Sequence, residues 1–386
     1  MTVLFLTGEY PPDPGGVGAY TRCLTEALRA QGAAAAVLTM RTGQLVLLRG
    51  DDLQGEVCAP THRNLDWSPR CWSALIKVLH DVRPSWLHIQ YQTGAYAMQP
   101  GINLLPWRLR GLAERPRMAV TFHDLLVPYL FPKAGPLRRW VNRRLASDCD
   151  AVVATNRADQ NGLRQLAPRG PTPHLIPIGS NIAPTPPPGY ERRAWRLDQG
   201  VAPNELLVAY FGLLATSKGV DVLVEALAQL ERPWRLVLIG GAATAPEDRA
   251  YAAQVQARIS ALGLQARLII PGHLPDDLVS AHLLAADCVA LPFRDGASFR
   301  RGSLLAALAH GCPVVTTTPA DPTDATVLEP ATLLVPPGDP LRLAAALTEL
   351  AANPTQRHHL GQAGMRLAAA YTWPAIATSH RQMYQG

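Results

Sequence analysis

Residues 294–316 read Arg294-Asp-Gly-Ala-Ser-Phe-Arg-Arg-Gly-Ser-Leu-Leu-Ala-Ala-Leu-Ala-His-Gly-Cys-Pro-Val-Val-Thr316. The apolar run just before them, residues 288–293, predicts a buried strand. The alanines and leucines that follow predict a helix from about residue 303 to 310, which Gly311 ends. Pro313-Val-Val then begins another strand, so this stretch has the strand–loop–helix–strand order of an α/β sheet.

The loop in front of this helix has the groups that a phosphate needs. The amide N–H groups and the positive dipole at a helix N-terminus attract an anion, which predicts ligand binding at Gly302, Ser303 and Leu304. Arg300 and Arg301 can add a bidentate fork to phosphate oxygens. The alternative is an ordinary helix start with two solvated arginines.

Composition limits the class of protein. A chain of 386 residues with 48% hydrophobic residues suggests two domains, with three as the alternative. The net charge of +6 suits anionic small molecules or an anionic membrane surface, and it is too diffuse to indicate nucleic acid. The six cysteines are scattered without a Cys-x-x-Cys pair, and no histidine or cysteine cluster has zinc spacing. We therefore expect a cytoplasmic protein with reduced thiols.

Short apolar runs alternate with helical patterns along the whole chain. Residues 1–8 are too short to span a bilayer and predict the first strand, and no later segment has about 18 apolar residues in a row. Alternating strands and helices imply parallel sheets flanked by helices, here in two doubly wound Rossmann-like domains. Four prolines within residues 183–190 mark the boundary. We expect domains at residues 1–183 and 205–373, a proline-rich linker at 184–204, and a last helix, 374–386, that packs back on the first domain.

A glycine-rich loop, residues 8–20, follows the first strand at its carboxyl end, where ligands bind in open α/β sheets. Gly15 and Gly16 let the backbone approach a ligand closely. The spacing differs from the Gly-x-Gly-x-x-Gly of dinucleotide-binding proteins, which disfavours a redox site. A glycine-rich turn without a ligand is the alternative.

Two further strand ends carry polar candidates. His123 and Asp124 end a strand of the first half and can hydrogen-bond sugar hydroxyls, with a structural histidine as the alternative. Lys218 lies in the loop after the first strand of the second half, where its charge can neutralise a diphosphate leaving group. A surface lysine before a helix is the alternative.

Two further features of the first half leave their binding partners open. A basic segment, residues 137–145, predicts an amphipathic helix that touches an anionic membrane, with a merely solvated basic face as the alternative. Tyr91, Tyr96, Trp107 and Tyr129 can stack on a sugar, or they belong to the core and its rim.

Together these residues resemble the GT-B glycosyltransferases of family four, a large retaining group. The resemblance runs nearly from end to end. Each motif is weak alone, and the likeness depends on their order and on their positions at strand ends. The motifs are residues 9–12 with Gly15, Gly16 and Gly18; His123-Asp124; residues 176–181; residues 212–219; residues 285–287; residues 311–315; residues 336–339; and residues 371–373.

The resemblance implies a fold, an activity and residue roles. The fold is two Rossmann-like domains facing across a cleft, with the acceptor in the N-terminal domain and a nucleotide-diphosphate sugar in the C-terminal one. The sugar moves with retention to a carbohydrate, lipid-linked or small-molecule acceptor, without metal or cofactor, because basic side chains and helix dipoles take the metal's role. The catalytic residues would be His123, Lys218, Arg300 and Arg301, and the substrate would contact Glu9, Gly15, Gly16, Asp124, Gly212, Asp295, Ser298, Gly302, Ser303 and Leu304.

The chain departs from the family pattern at three positions. Leu213 stands where the family carries an arginine, which the arginine pair before the predicted helix can replace. Ser298 and Ala306 stand where the family carries two glutamates that address the sugar and the ribose. Asp295 is a candidate to replace one carboxylate. Loss of acids beside a diphosphate also lowers the need for counter-charge.

Two other functions are open on the same sequence. Without the two glutamates, the chain can be a non-catalytic scaffold that binds a nucleotide sugar, since a fold does not determine a function. An epimerase or a phosphorylase shares the two-domain plan, and such a phosphorylase needs a lysine that holds pyridoxal phosphate.

Overall fold

The computed structural model describes the chain except residues 14, 51–53, 60–61, 63, 126–134 and 241–245 and the side chains of residues 246 and 247. The chain forms two compact units. The first consists of Met1–Gly179 and Trp373–Gly386, and the second of Ser180–Thr372. None of the helices in the described ranges is both long enough and apolar enough to cross a bilayer.

The first unit is a sheet flanked by helices. Its described strands are β1 (Thr2–Thr7), β2 (Ala34–Arg41), β3 (Gln44–Arg49), β4 (Glu56–Cys58), β5 (Trp86–Tyr91), β6 (Arg117–Phe122), β7 (Ala151–Ala154) and β8 (His174–Leu175). They lie in the order β4-β3-β2-β1-β5-β6-β7-β8. The helices are α1 (Gly16–Ala30), α2 (Trp72–Val82), α3 (Leu105–Leu109), α4 (Gly135–Asp148) and α5 (Arg157–Leu166). The strand order changes direction between β1 and β5, which makes their carboxyl ends a switch point.

Strands β3 and β4 depart from the expected alternation and add an antiparallel edge to an otherwise parallel sheet. Thr42 and Gly43 form the turn from β2 to β3, with φ of 47° and 71°. Positive φ at both turn residues is the type I′ geometry that suits a two-residue hairpin. The turn sends the chain straight back beside β2, so no helix crosses over at this point.

The second unit contains one parallel sheet. Its described strands are β9 (Leu206–Phe211), β10 (Trp234–Ile239), β11 (Leu268–Gly272), β12 (Cys288–Leu291), β13 (Val314–Thr317) and β14 (Thr332–Val335), in the order β11-β10-β9-β12-β13-β14. Its helices are α6 (Arg192–Asp198), α7 (Val220–Leu227), α8 (Pro246–Ala261), α9 (Asp276–Ala285), α10 (Gly302–Ala309), α11 (Pro322–Leu328), α12 (Pro340–Ala352) and α13 (Pro354–Ala368). The switch point lies between β9 and β12. Both units confirm the expected α/β class with two doubly wound domains.

Helix α10 ends as the sequence predicts. Gly311 has φ of 66°, and its amide donates to the Leu308 carbonyl at 3.0 Å. The Cys312 amide donates to the Ala307 carbonyl, also at 3.0 Å. These two bonds form a Schellman motif, which requires a residue that tolerates the left-handed region.

The segment expected to be a linker, residues 184–204, differs from that expectation. Residues 192–198 form α6, and Arg192 and Arg196 of this helix pair with Asp287 at 2.8 and 2.9 Å. Asp287 directly precedes β12. The helix is therefore held on the second sheet, and the prolines end before it begins.

The chain ends in α14 (Trp373–Gln385), which belongs to the first unit. His380 Nε2 lies 3.0 Å from the Tyr20 hydroxyl of α1, and the Tyr384 hydroxyl contacts His88 Nδ1 on β5. All four side chains are buried. Because buried polar atoms are costly unless they are hydrogen-bonded, these contacts specify where the last helix lies.

His380 should make the stability of the protein depend on pH. Burial lowers its pKa from 6.5 to about 3, and the charges of His123 and His174 act in the same direction. Because this pKa lies below that of the unfolded chain, the unfolded state takes up the proton first, and stability falls as the pH drops below 6.5. We expect a loss of about 2 kcal/mol from this residue between pH 7 and pH 5.

Chemical denaturation at both pH values measures this loss. In His380→Gln the difference between the two pH values should shrink by that amount. His358→Gln is the control, because His358 is exposed. The same pH difference in the wild type and both variants would contradict a buried, neutral His380.

Candidate functional site

The carboxyl ends of β9 and β12 bring Lys218 to the switch point of the second sheet. Strand β9 ends at Phe211, and Lys218 closes a 3₁₀ turn a few residues later. Gly219 follows with φ of 67°. A Cβ at residue 219 would lie 2.1 Å from the Pro292 carbonyl oxygen. Only glycine therefore lets the Lys218 turn lie against the end of β12.

Lys218 and Arg301 both contact the aromatic ring of Phe293. The Lys218 Nζ lies 5.1 Å from the centroid of the Phe293 ring, and the Arg301 Cζ lies 4.9 Å from it. Burial, and then the Arg301 charge, lower the pKa of Lys218 from 10.5 to about 8, against the opposing charge of Asp295. The lysine remains largely protonated at pH 7, so two cations lie close together and a bound dianion would relieve their repulsion.

Asp295 is the counter-ion of Arg301. Their side chains form an ion pair, in which the Asp295 side chain is mostly exposed. The expectation was that Asp295 replaces a carboxylate that reads the donor, whereas here it neutralises a cation. A ligand phosphate would therefore compete with Asp295 for the Arg301 guanidinium. In the described part of the chain no three His, Cys, Asp or Glu side chains are grouped to hold a metal ion.

The start of α10 is less uniform than its sequence suggests. Arg300 is exposed, while Arg301 is half-buried and pairs with Asp295, so the two arginines have different surroundings. The Leu304 amide donates to the Arg301 carbonyl at 3.0 Å, so it is not available to an anion. The side chain of the N-cap residue, Arg301, makes no capping hydrogen bond to this helix. The first amides, those of Gly302 and Ser303, are the candidates for an anion.

The three positions that depart from the family pattern have different surroundings. Ala306 lies within α10 without exposed surface. The position at which the family carries the glutamate that addresses the ribose therefore faces the interior. Ser298 is half-buried in the loop before that helix. Leu213 is 52% exposed, and the Tyr210 hydroxyl donates to its carbonyl at 2.9 Å. Arg301 lies near this edge, and so does Arg294, whose amide donates to the Ser217 carbonyl. Replacement of the family's arginine by Arg301 stays a prediction.

Gly212 directly follows β9 and has φ of 147°. A Cβ at Gly240, which directly follows β10, would lie 2.1 Å from the Gly212 carbonyl oxygen. The two glycines therefore let neighbouring loops pack at the carboxyl edge. Contact between Gly212 and a ligand stays a prediction.

Glu9 caps α1, and its contact with substrate stays a prediction. Its Oε1 accepts hydrogen bonds from the amides of Val17 and Gly18 at 2.8 and 3.2 Å. A Cβ at Gly15 would lie 2.2 Å from the Glu9 carboxylate, whereas Gly16 has open space beside it. The absence of a side chain at Gly15 thus makes room for the Glu9 carboxylate. The carboxylate occupies the amides that would otherwise attract a phosphate.

His123 follows β6 with its ring held from two sides. Its Nε2 lies 2.9 Å from Gln90 Oε1, the acceptor that makes Nε2 the protonated nitrogen. The Tyr20 ring meets the imidazole edge-on, with 4.7 Å between centroids. Asp124 comes next and is half-buried. Gln90 is a residue that the motifs missed, although a polar side chain inside the apolar strand β5 is a signal in the sequence.

Arg138 is a second residue that the motifs did not single out. It lies in the first turn of α4, with Nη2 3.3 Å from Met98 Sδ. Burial raises the pKa of Tyr91 at the end of β5, and the Arg138 charge acts in the opposite direction. Its Nη1 is buried without a hydrogen-bond partner among the described residues. An anionic ligand could accept a hydrogen bond from this guanidinium N–H, which lies near a strand end.

The aromatic residues considered for sugar stacking differ in exposure. Tyr91 and Tyr96 are buried and belong to the core, where Tyr91 donates to Asn142 Oδ1 at 3.0 Å. Trp107 is 52% exposed on α3. Tyr129 lies outside the described residues.

Two protein families match the two halves of the chain. The family described as "Glycosyl transferase 4-like domain" matches residues 15–179. The family described as "Glycosyl transferases group 1" matches residues 205–353. Together the matches extend over most of both units.

Sequence relatives align over nearly the full length at low identity. D-inositol 3-phosphate glycosyltransferase from Jonesia denitrificans is 27% identical, with 97% of this chain and 91% of the relative covered. Alpha-maltose-1-phosphate synthase from Mycobacterium tuberculosis is 25% identical, with 100% and 99% covered.

Solved structures share the fold. Sucrose-phosphate synthase from Thermosynechococcus elongatus has a TM-score of 0.74 at 22% identity, with 100% of this chain and 98% of that chain covered. HepE from Anabaena, in complex with UDP and glucose, has a TM-score of 0.71 at 19% identity, with the same coverage. At these identities the likeness shows the fold, which is GT-B, with two Rossmann-like domains.

Removal of the Glu9 carboxylate should weaken α1. We expect Glu9→Ala to lower the free energy of unfolding by about 1 kcal/mol, as for a lost N-cap. Glu9→Gln keeps an acceptor oxygen and should recover part of the loss. The control is Glu26→Ala, since Glu26 only pairs with Arg22 on the surface of α1. Urea unfolding followed by circular dichroism compares them, and a loss in Glu9→Ala no larger than in Glu26→Ala would contradict the capping role.

Proposed function

The chain belongs to the group 1 glycosyltransferases, and we propose that it moves a sugar from a nucleotide-diphosphate donor to a small acceptor with retention of configuration. The observation that carries the donor class is the pair of cations, Lys218 and Arg301, at the switch point of the second sheet. The UDP and glucose bound by HepE, which has the same fold, support a donor of this kind.

A diphosphate leaving group needs positive charge at the moment of transfer. The bond between the anomeric carbon and the diphosphate oxygen breaks, and the acceptor oxygen bonds to that carbon while its proton passes to the leaving phosphate. Donors that are already in place stabilise the charge on the leaving oxygen. Lys218, Arg301 and the amides of Gly302 and Ser303 have the chemistry for this. We therefore propose that no metal ion is required.

His123 is proposed to face the transferring sugar from the first unit. Its hydrogen bond to Gln90 fixes the orientation of the ring and the position of one proton. Gln90 is thus a positioning residue for His123. Asp124, next to it, is proposed to accept from a sugar hydroxyl.

The Lys218 charge should control diphosphate affinity. The ligand is the nucleoside diphosphate among UDP, GDP, ADP and TDP that raises the melting temperature most in EDTA. Because the pKa of Lys218 is about 8, the lysine loses its charge as the pH rises through that value. Calorimetry should show weaker binding above pH 8 in the wild type, with a midpoint raised somewhat by the bound dianion.

Lys218→Met should bind about 10-fold to 100-fold more weakly at pH 7, with little dependence on pH between 7 and 9.5. Lys77→Met is the control, because Lys77 is exposed on α2. Wild-type affinity in Lys218→Met would remove this lysine from the diphosphate site, and no shift with any nucleotide would favour the non-catalytic scaffold.

We propose that the acceptor is a phosphorylated polyol or sugar. The names of the relatives, D-inositol 3-phosphate glycosyltransferase and alpha-maltose-1-phosphate synthase, support this class. Arg138 supports it independently, because its buried Nη1 lacks a partner among the described residues at the carboxyl end of β5. A phosphate on the acceptor would satisfy that donor.

Arg138→Gln should therefore change acceptor preference. With the donor that the nucleotide panel identifies, kcat/KM for D-inositol 3-phosphate should fall about tenfold or more, the worth of a charge-assisted hydrogen bond. Transfer to unphosphorylated inositol should change little. Arg139→Gln is the matched control, since Arg139 is the exposed neighbour on α4. An equal loss for both acceptors would show that Arg138 does not read phosphate.

Peripheral membrane contact is a further proposal for the first unit. Leu137 and Trp140 of α4 are 61% and 50% exposed, and Trp107 of the adjacent helix α3 is 52% exposed. Exposed apolar side chains among arginines suit an anionic bilayer surface. Weaker sedimentation of Trp140→Ala with anionic vesicles would support this contact, and unchanged sedimentation would remove Trp140 from it.

A further inference from the structure

A basic cavity lies at the edge of the second sheet opposite to Lys218. Its volume is 470 Å³, within the range of small-molecule sites. Leu206 begins β9 and Asp287 directly precedes β12, and both line the cavity. The cavity is therefore at the amino ends of the two strands whose carboxyl ends form the donor site.

The charged lining of the cavity carries an excess of arginine. Five arginines and three carboxylates contribute to it, and the remaining lining is apolar or amide. The charged residues are Arg192, Arg193, Arg196, Arg232, Arg357, Glu191, Glu205 and Asp287.

Each of the three carboxylates is already engaged. Asp287 accepts from the two α6 arginines that fasten that helix to the sheet. Glu205 pairs with Arg235, which does not line the cavity. Glu191 caps α6 through backbone amides. Within the described ranges, none of these carboxylates forms an ion pair with the other three arginines of the cavity.

Among the described residues, Arg193, Arg232 and Arg357 form no ion pair. The Arg193 charge acts on the neighbouring Glu191 carboxylate, and Arg357 Nη1 donates to the carbonyls of Leu350 and Ala351. The Arg232 Nε is buried without a hydrogen-bond partner in the described part of the chain. Burial raises the pKa of the Cys288 thiol, and the charges of Arg357 and Arg232 act in the opposite direction. Both arginines line the cavity together with Asp287, the residue directly before β12.

We propose that this cavity binds a small molecule that carries a phosphoryl group, at a site distinct from the donor site. A buried guanidinium N–H without an acceptor is costly, and phosphate oxygens would satisfy it with charge-assisted bonds. Leu197, Val201 and Pro203 form an apolar wall for the carbon skeleton of the ligand. A sugar phosphate has the charge, polarity and size that this lining accommodates.

Calorimetry with glucose 6-phosphate and with inorganic pyrophosphate tests the proposal on the full chain. The Lys218→Met variant separates this site from the donor site, and it should still bind glucose 6-phosphate. In that background, Arg232→Gln and Arg193→Gln should each weaken binding about tenfold. Arg193 is exposed, so its variant tests the site even where Arg232→Gln impairs folding. Arg342→Gln is the control, because Arg342 is an exposed residue of α12 outside the cavity.

Vesicles of phosphatidylcholine with and without phosphatidic acid identify the source of the phosphoryl group. Binding to phosphatidic acid that Arg232→Gln weakens, without binding of either soluble probe, would place a lipid headgroup in the cavity. Binding of glucose 6-phosphate that Arg232→Gln weakens would identify a soluble ligand. The proposal is overturned if both cavity variants bind as Arg342→Gln does, or if Lys218→Met abolishes all phosphate binding.

Discussion

Residue 219 has to be a glycine, and the candidate donor site depends on it. The Pro292 carbonyl oxygen occupies the space where a side chain at 219 would begin, and the positive φ at this position also disfavours a side chain. With glycine, the turn that carries Lys218 lies directly against the end of β12. Pro292 and Phe293 follow β12, and the loop after them leads to Arg301. This main-chain contact therefore brings Lys218 to the Phe293 ring that Arg301 also contacts.

The amides at the N-termini of α1 and α10 have different surroundings. In the first unit the protein supplies its own anion, because Glu9 accepts from the amides at the start of α1. In the second unit the side chain of the N-cap residue, Arg301, makes no capping hydrogen bond to α10, and Asp295 pairs with Arg301 from an exposed position. An exposed ion pair is worth little in water, so a phosphate can replace Asp295 at small cost. The start of α10 is therefore the better anion site of the two.

Much of the fold could be predicted from the sequence, because periodicity and turn residues are local. The strand–helix alternation, the α/β class and the Gly311 stop of α10 are all confirmed. The β2–β3 hairpin was missed, although Thr42-Gly43 is a short turn between two apolar runs, because the expected alternation of strand and helix was extended over it. Helix α6 was missed for another reason. Its two arginines form ion pairs with Asp287, which lies about 90 residues further along the chain, and no local sequence pattern predicts such a pair.

The sequence by itself determined which strand ends carry His123, Lys218 and the arginines before α10, since residue type and position along a strand are local properties. Only the tertiary structure decided how those residues are used. It paired Arg301 with Asp295, directed Glu9 to the start of α1, buried Ala306 and left the Arg138 Nη1 without a described partner. The reason is physical: an ion pair, a helix cap or a desolvated donor exists only where chain segments meet, and its energy depends on distance and burial that spacing along the chain does not specify.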